Sequence, residues 1–145
     1  MQIYTMGFTQ KSAAGFFEKI LQNNIKIVID VRLNNQSQLA GFTKGRDLAY
    51  FLQAICGCKY AHETIFAPTK ELLTAYKKGS IDWDGYVAQF DQLIASRKMA
   101  DYFEAKYAKY DSVLLLCSEP TPQNCHRRLL AECFSQAMGC EIRHL

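Results

Sequence analysis

Apolar residues recur along the chain with two periods, one typical of buried strands and the other of helices. Residues 26–33 contain three consecutive β-branched side chains, Ile27, Val28 and Ile29, and such an apolar run suits a sheet that is buried on both faces. Residues 12–22 have the helical period instead, with an apolar face made of Phe16, Phe17, Ile20 and Leu21. Because residues 2–6 also have strand character, the pattern predicts that a strand, a helix and a second strand open the chain.

The rest of the chain continues this alternation. Further strands are predicted at residues 59–63, 112–117 and 141–145. Further helices are predicted around residues 48–55 and at residues 70–78, 82–95, 101–110 and 125–138. Strands that alternate with helices favour a three-layer α/β fold, Rossmann-like or flavodoxin-like, in which a mostly parallel sheet of about five strands has helices on both faces.

The composition is that of a compact globular protein. With 145 residues, 49% of them hydrophobic, the chain is long enough to bury a substantial core, and we expect a single α/β domain over residues 1–145. The longest apolar runs are too short to span a bilayer, and the opening residues MQIYTMGF lack the basic-then-apolar order of a secretory signal. We therefore expect a cytoplasmic protein that has no membrane partner.

The charge and the cysteine content limit which partners, metal sites and cofactors the sequence predicts. The 17 basic and 14 acidic residues are spread along the chain, so the net charge of +3 by itself implies no polyanionic partner. Six cysteines in a reducing compartment are expected to be buried thiols, reactive thiols or metal ligands rather than disulfides. Cys56, Cys58 and His62 lack the spacing of a zinc site, and we predict no metal there. Gly7 is the only glycine in the first turn, so the chain has no dinucleotide-binding fingerprint, and the cofactor is left unassigned.

The predicted architecture indicates where a ligand should bind. In open parallel sheets, ligands lie beyond the carboxyl ends of the strands. Polar residues cluster at the corresponding positions of this sequence, namely Thr9 after the first strand, Asp30, Arg32, Asn34 and Asn35 at the second, His62 and Glu63 at the third, and Cys117, Ser118 and Glu119 at the fourth. The pattern predicts a polar, anion-binding crevice at this edge of the sheet.

Asp30 and Arg32 form the first candidate pair in that crevice. They lie two positions apart on a strand, so their side chains share a face while Val31 points to the other. As site residues, Arg32 would bind a carboxylate or phosphate through two hydrogen bonds, and Asp30 would orient it or accept a proton. The alternative is a structural pair that fixes the loop, because buried charges are usually paired.

The segment CSEPTPQNCHRR supplies the second group of candidates. On a helix over residues 125–138, the spacing places His126 at the centre of the apolar stripe, facing the sheet near Cys117. Arg127 is predicted on the flank of that stripe and Arg128 on the surface beside Glu132. Asn124 is the predicted N-cap, which would aim the first amides of the helix at the crevice.

A cysteine that faces a histidine beside a helix start is a common arrangement for an activated thiol. Two features oppose this interpretation of Cys117. The nearby Glu119 carboxylate would disfavour a thiolate, and Pro120 and Pro122 remove two backbone N–H groups from the loop. A packing role for Cys117 and a hydrogen-bonded core role for His126 are the alternatives.

Five motifs carry a family resemblance, namely IYTMGFT, IDVRLNN, QLAGF, APTKELL and CSEPTPQNCHRR. They resemble domain-of-unknown-function family 488, in particular its subgroup with a Gly-Phe-Thr opening. Many members read Gly-His-Ser where this chain has Gly7, Phe8 and Thr9, so a role for a histidine there is not carried over. The resemblance implies a compact α/β domain and no established reaction. It marks as matching motif positions Thr9, Asp30, Arg32, Cys117, Glu119, Cys125, His126 and Arg127.

Three functional hypotheses follow, of which we favour an enzyme acting on a small anionic, nucleotide-like or phosphorylated substrate. Substrate binding would fall to Thr9, Arg32, Asn34 and Arg127, and catalysis to Asp30, Glu119, His126 and Cys117. The second hypothesis is a thiol enzyme of sulfurtransferase type, although Gln123 stands where the rhodanese layout has its arginine. The third is a non-catalytic module that binds a nucleotide or nucleic acid. The oligomeric state is left open.

Overall fold

The structure, a computed structural model, describes residues 1–36 and 40–145. Within these ranges one sheet is formed by β1 (Gln2–Gly7), β2 (Ile27–Asp30), β3 (Lys59–His62), β4 (Ser112–Cys117) and β5 (Ile142–His144). All neighbouring strands are parallel, and their spatial order is β3-β2-β4-β1-β5. The predicted parallel α/β architecture is therefore confirmed. Because β4 lies between β1 and β2, the strand order differs from those of dinucleotide-binding and flavodoxin-like sheets.

Helices cover both faces of the sheet. They are α1 (Ala13–Gln22), α2 (Gly45–Phe51), α3 (Lys70–Lys77), α4 (Trp83–Ser96), α5 (Met99–Tyr107) and α6 (His126–Met138). A π-helical turn (Leu52–Cys56) extends α2, and two 3₁₀ turns span Gly41–Thr43 and Thr64–Phe66. Apolar side chains of α1 and α2 pack on one face of the sheet, and those of α3 to α6 pack on the other. No helix in the described ranges is long and apolar enough to cross a membrane.

Side-chain caps fix the starts of three helices. Ser12, Thr69 and Asp82 each accept a hydrogen bond from the backbone N–H three residues later, at 3.0, 3.1 and 2.8 Å respectively. Each cap satisfies one of the amides that a helix start leaves without a partner. These residues immediately precede α1, α3 and α4, so the predicted boundaries of the three helices are confirmed to within one or two residues.

The second strand is shorter than predicted. β2 ends at Asp30, whereas the sequence pattern extended it to residue 33. The Asp30 carboxylate accepts a hydrogen bond from the backbone N–H of Arg32 at 3.2 Å, and this local bond replaces continued pairing along the strand. Arg32 therefore stands in the loop that follows the strand rather than on the strand itself.

Candidate functional site

A crevice of about 800 Å³ opens beyond the carboxyl ends of β2 and β4, on the face covered by α3 to α6. Its polar wall is formed by Arg32, Asn34, Cys117, Ser118, Glu119, Asn124, Cys125 and His126. The rest of its lining, which we call its apolar wall, includes Pro68, Leu73, Tyr76, Trp83 and Tyr86, with Lys77 beside them. The position agrees with the general rule for parallel sheets, and the crevice brings together most of the predicted site residues.

Asp30 and Arg32 form a buried ion pair, of which Arg32 lines the crevice. The Asp30 side chain is 0% exposed and accepts hydrogen bonds from Nε and Nη2 of Arg32, at 2.8 and 2.7 Å. The hydroxyl of Tyr60 donates a further bond to Asp30 Oδ2, at 2.6 Å. With both oxygens engaged by neighbouring side chains, Asp30 is placed to hold Arg32 in position.

One nitrogen of Arg32, Nη1, is held less tightly by hydrogen bonds than the other two. Nη2 also donates to the Thr43 carbonyl at 2.6 Å, whereas Nη1 lies 3.5 Å from the Thr43 hydroxyl. The guanidinium carbon lies 5.0 Å from the centre of the Phe8 ring, within cation–π range. Burial disfavours the charge, but the bonds to Asp30 outweigh it and raise the pKa of Arg32. Arg32 is therefore a fixed cation at the edge of the crevice.

Tyr60 and Thr43 are site residues that sequence reasoning missed. Tyr60 lies on β3, which pairs with β2, and burial together with Asp30 raises the pKa of its hydroxyl. Its side chain therefore stays protonated and remains a donor to Asp30. The pairing of β2 with β3 in this register was the missing information, because the order of strands cannot be read from their periodicity.

Arg127 is a buried cation beside Cys117. Its side chain is 1% exposed, and Nη1 donates to the Cys117 sulfur at 2.9 Å and to the Glu119 carbonyl at 2.6 Å. Its Nε is buried and meets no hydrogen-bond partner within residues 1–36 and 40–145. Among the described residues, no carboxylate lies within ion-pairing distance of this guanidinium. Because buried charges are normally neutralised, the arrangement favours an anion at Cys117.

The surroundings of Cys117 stabilise its thiolate. Burial opposes ionisation, but a hydrogen bond from the Cys125 thiol, the charge and N–H of Arg127, and the backbone N–H of Glu119 together lower the pKa of Cys117 to about 7. Burial and the neighbouring Cys117 raise the pKa of Cys125 well above its ordinary value. Cys125 is therefore the protonated donor of the pair. The Cys117 thiolate is therefore favoured relative to that of an ordinary cysteine.

His126 is neutral in this setting. Its Nε2 lies 2.8 Å from the Val31 carbonyl, and a carbonyl only accepts, so Nε2 carries the proton. Burial, with Arg127 nearby, lowers the pKa of His126 to about 4. The Phe90 ring meets the imidazole edge-on, with centroids 5.5 Å apart. Nδ1 is left as the nitrogen that accepts a proton or hydrogen bond.

The orientation of α6 differs from the prediction. The sequence pattern placed His126 at the centre of the buried face and Arg127 on its flank, but Arg127 is buried and His126 is half-buried. The reason is that α6 packs against α4, α5 and β1 together, which buries Arg127 and Ala131 and leaves Ala137 exposed. The helix N-cap is Cys125, so the prediction of Asn124 at that position was wrong.

The remaining predicted residues differ in how they meet the crevice. Thr9 donates from Oγ1 to the Ser118 carbonyl at 2.5 Å, which ties the end of β1 to the loop after β4. Asn34 is exposed in the crevice wall, and its Oδ1 accepts from the backbone N–H of Gln36 at 2.9 Å. Glu119 also lines the crevice, with an exposed side chain. Its backbone N–H favours the Cys117 thiolate, in contrast to the expected effect of its carboxylate.

Gly7 allows the loop after β4 to approach β1. A Cβ at this position would lie 1.6 Å from the Glu119 carbonyl oxygen and 3.1 Å from Nη1 of Arg127. Both atoms belong to the group that surrounds the Cys117 sulfur. The site therefore requires a residue without a side chain at the end of β1.

The end of β3 has a structural role. Glu63 is buried and accepts hydrogen bonds from Lys106 at 2.5 Å, from Tyr102 at 2.9 Å and from Tyr107. His62 Nε2 lies 2.7 Å from the Arg32 carbonyl. In the described parts of the chain, no group of three or more His, Cys, Asp or Glu side chains is arranged to hold a metal ion.

Comparison with known proteins gives one match. The family model described as "Domain of unknown function DUF488" matches residues 12–134, which include all the residues that line the crevice. No curated protein and no solved structure matches the chain. The GFT opening precedes the matched range, so the subgroup assignment stays a prediction. Gln38 and Leu39 of the QLAGF motif lie outside the described residues.

Proposed function

The chain belongs to the DUF488 family of domains of unknown function, and we propose that it is an enzyme in which the Cys117 thiolate reacts with a small substrate held in the crevice. One observation carries this proposal. The Arg127 guanidinium is buried without a carboxylate partner among the described residues, and its Nη1 lies 2.9 Å from the Cys117 sulfur. An isolated buried charge costs several kcal/mol, and a thiolate within hydrogen-bond distance removes that cost.

A purely structural role for Arg127 accounts for less of the geometry. The Glu119 carbonyl is a neutral acceptor, and it engages Nη1 alone. A neutral Cys117 would leave the guanidinium charge uncompensated while Nε also lacks a partner. A thiolate at Cys117 neutralises the charge, and the Glu119 N–H and the Cys125 thiol then both donate to it.

The two walls of the crevice support the predicted substrate class. Trp83 and Tyr86 stack on each other, with centroids 5.0 Å apart and ring planes 13° apart, and they are among the apolar residues whose accessible edges line the crevice beside a planar ligand group. Arg32 and the exposed Lys77, which also line the crevice, are cations that would attract a negatively charged group of the substrate. We therefore infer a substrate that combines a planar ring with a phosphate or carboxylate, such as a nucleotide-like molecule.

The remaining polar groups are assigned supporting roles. Asp30 positions Arg32 rather than exchanging protons, because both of its oxygens accept hydrogen bonds. Neutral His126 offers Nδ1 as an acceptor for a substrate N–H or O–H. The Glu119 carboxylate, exposed at the mouth, is the candidate proton carrier for the leaving group.

The arginine contact differs in origin from the rhodanese-type layout considered above. Gln123 occupies the position at which that layout places its arginine, but Arg127, ten positions after Cys117, reaches the sulfur from the first turn of α6. The sulfurtransferase hypothesis therefore keeps a cysteine–arginine pair, although the loop between the two residues is longer.

Alkylation tests the proposal with an internal reference. Trypsin separates residues 110–127, whose cysteines are Cys117 and Cys125, from residues 129–143, whose cysteines are Cys133 and Cys140. We expect iodoacetamide to modify Cys117 at neutral pH at least about tenfold faster than Cys133, whose pKa burial raises. Equal or slower modification of Cys117 in the folded chain would overturn the proposal.

A ligand screen separates an enzyme from a sensor. A nucleotide or sugar phosphate that binds the crevice raises the melting temperature in proportion to its affinity for the folded state. A ligand that raises the melting temperature equally in the wild type and in Cys117→Ser, without product formation, would support the non-catalytic alternative. Product formation that is lost in Cys117→Ser with binding retained would support the enzyme.

A further inference from the structure

Cys125 shares the crevice wall with Cys117. Cys117 ends β4, Cys125 caps the start of α6, and both side chains line the crevice and are almost fully buried from bulk solvent. Each of the two thiols also shifts the pKa of the other, as expected for neighbouring groups in one crevice. Cys56, Cys58, Cys133 and Cys140 do not line this crevice. The site therefore contains two buried thiols, one of which lies beside a buried guanidinium that has no carboxylate partner among the described residues.

We propose that Cys125 is the resolving thiol for Cys117, so that the crevice performs thiol–disulfide exchange with a small organic disulfide. This inference rests on the proposed role of Cys117 as a nucleophile. The disulfide supplies both the sulfur that is attacked and the oxidising equivalents. Its preferred form carries a planar group and an anionic group, in line with the two walls of the crevice.

The exchange proceeds in two balanced steps. In the first, the Cys117 thiolate attacks one sulfur of the substrate, the substrate S–S bond breaks, and one substrate thiolate leaves while a mixed disulfide forms on Cys117. In the second, Cys125 loses its proton to that departed thiolate or to solvent and attacks the Cys117 sulfur, releasing the second substrate thiolate. The protein dithiol is oxidised to a disulfide, and the substrate disulfide is reduced to two thiols.

The electrostatics of the pair favour this order. While Cys117 is a thiolate, its charge raises the pKa of Cys125 and keeps that residue protonated. Formation of the mixed disulfide removes that negative charge, whereas Arg127, which lowers the pKa of Cys125, remains in place. Cys125 thus becomes easier to ionise after Cys117 has reacted.

The alternative role for Cys125 is that of a hydrogen-bond donor that only tunes Cys117. Serine at this position keeps a donor of similar size but cannot form a disulfide. Cys125→Ser therefore separates the two roles, and Cys117→Ser serves as the matched variant that removes the attacking thiol.

The test treats the full reduced chain with dithiobis(nitrobenzoate), an aromatic disulfide with carboxylate groups. The tryptic peptide of residues 110–127 contains both thiols and no other cysteine. In the wild type we expect this peptide to lose two hydrogens and to resist alkylation, because an internal disulfide has formed. In Cys125→Ser we expect the same peptide to keep the thionitrobenzoate group at Cys117, with a lifetime at least about tenfold longer than in the wild type. Cys117→Ser should show neither product on that timescale.

The outcomes separate this inference from the function on which it rests. If the wild-type peptide keeps the adduct on Cys117 as long as the Cys125→Ser peptide does, the resolving role is wrong while the nucleophilic role of Cys117 stands. If Cys117 in the folded wild type reacts no faster than Cys133, the proposed function fails as well. Formation of the internal disulfide and the relative reaction rates of Cys117 and Cys133 are both measured in the wild type, so these two readouts do not depend on how well a variant folds. A wild-type peptide that forms no internal disulfide would by itself overturn the resolving role.

Discussion

Nη1 of Arg127 lies 2.9 Å from the sulfur of Cys117, and the guanidinium that carries it is buried. This contact makes Arg127 the main fixed charge acting on the thiol. Its contribution is distinct from packing, because methionine is similar in length and volume but carries no charge. Replacing a buried ion by an apolar side chain of similar size is often neutral for stability.

The first prediction concerns the pH profile of Cys117 alkylation. In the wild type the rate should follow a thiolate with a pKa of about 7. In Arg127→Met the midpoint of the profile should move toward or above the ordinary thiol value of 9.0, because the charge and the N–H donor are lost. Arg128→Met, at the half-exposed next position, is the control and should leave the midpoint unchanged. An unaltered midpoint in Arg127→Met would make Arg127 a packing residue.

The second prediction concerns acid stability and His126. The pKa of His126 is lowered from 6.5 to about 4 in the folded protein, so the unfolded chain binds more protons between those two pH values. Stability contributed by neutral His126 is therefore present above pH 6.5 and is lost as the pH falls from 6.5 toward 4. The slope from this residue is at most about 1.4 kcal/mol per pH unit.

His126→Gln isolates that contribution, because glutamine keeps an N–H donor for the Val31 carbonyl but does not titrate. Denaturant unfolding of both proteins between pH 4 and 6.5 measures the difference in unfolding free energy, in which other titrating groups, such as Glu63, largely cancel. The wild type should lose stability relative to His126→Gln as the pH falls. Parallel curves would contradict the assignment of a buried neutral imidazole.

Local sequence patterns predicted the parallel sheet and its helices because each element contains its own signal. The apolar run of β4, the cap at Ser12 and the ion pair of Asp30 with Arg32 involve residues that are close in sequence. Contacts between segments that are distant in sequence could not be predicted from such local patterns. The Tyr60 hydroxyl meets Asp30 across 30 positions. That contact depends on which strands become neighbours.

The prediction of how α6 is oriented was wrong for a related reason. An apolar stripe gives the mean direction of the buried face, but the packing of three other elements decided that Arg127 lies inside it and His126 at its edge. Arginine is rarely buried, so the pattern assigned Arg127 to the flank. Burial of Arg127 costs less free energy here because its guanidinium lies within hydrogen-bond distance of the Cys117 sulfur.

The third prediction concerns the close approach at Gly7. A Cβ there would lie 1.6 Å from the Glu119 carbonyl oxygen, so Gly7→Ala must displace the loop that contacts Cys117 and Arg127. We expect a loss of about 1–3 kcal/mol in unfolding free energy, together with slower alkylation of Cys117. Gly41→Ala is the control, since no atom of the described residues lies within 4 Å of a Cβ at that position. Equal stability and reactivity in the two variants would show that the loop adapts without cost.

The fourth prediction separates the two side-chain interactions of Asp30, the ion pair with Arg32 and the hydrogen bond from Tyr60. Tyr60→Phe removes one hydrogen bond but leaves the ion pair with Arg32 intact, so unfolding free energy should fall by about 1–2 kcal/mol. Asp30→Ala leaves the Arg32 charge buried and should cost about 3–5 kcal/mol. Denaturant unfolding measures both losses. If Tyr60→Phe cost as much as Asp30→Ala, the ion pair would not be the main support of the Arg32 loop.

The fifth prediction concerns ligand binding at the two walls. Trp83 is the only tryptophan in the chain and lines the crevice, so its fluorescence reports occupancy directly. Titration with nucleoside monophosphates, sugar phosphates and aromatic carboxylates should change this signal most for ligands that have both a ring and a negative charge. Ring and charge are needed together because aromatic side chains and the cations Arg32 and Lys77 line the same crevice.

Lys77 provides the matched test of the charge. It is exposed and lines the crevice, whereas the neighbouring Lys78 is exposed and does not. Lys77→Ala should weaken binding of an anionic ligand by up to about fivefold, the effect of one solvent-screened charge, and raised salt should reduce the difference. Lys78→Ala should bind as the wild type does, because its charge lies outside the crevice. A fluorescence change that is identical for charged and uncharged ring compounds in all three proteins would remove the anion from the definition of the substrate while keeping the aromatic wall.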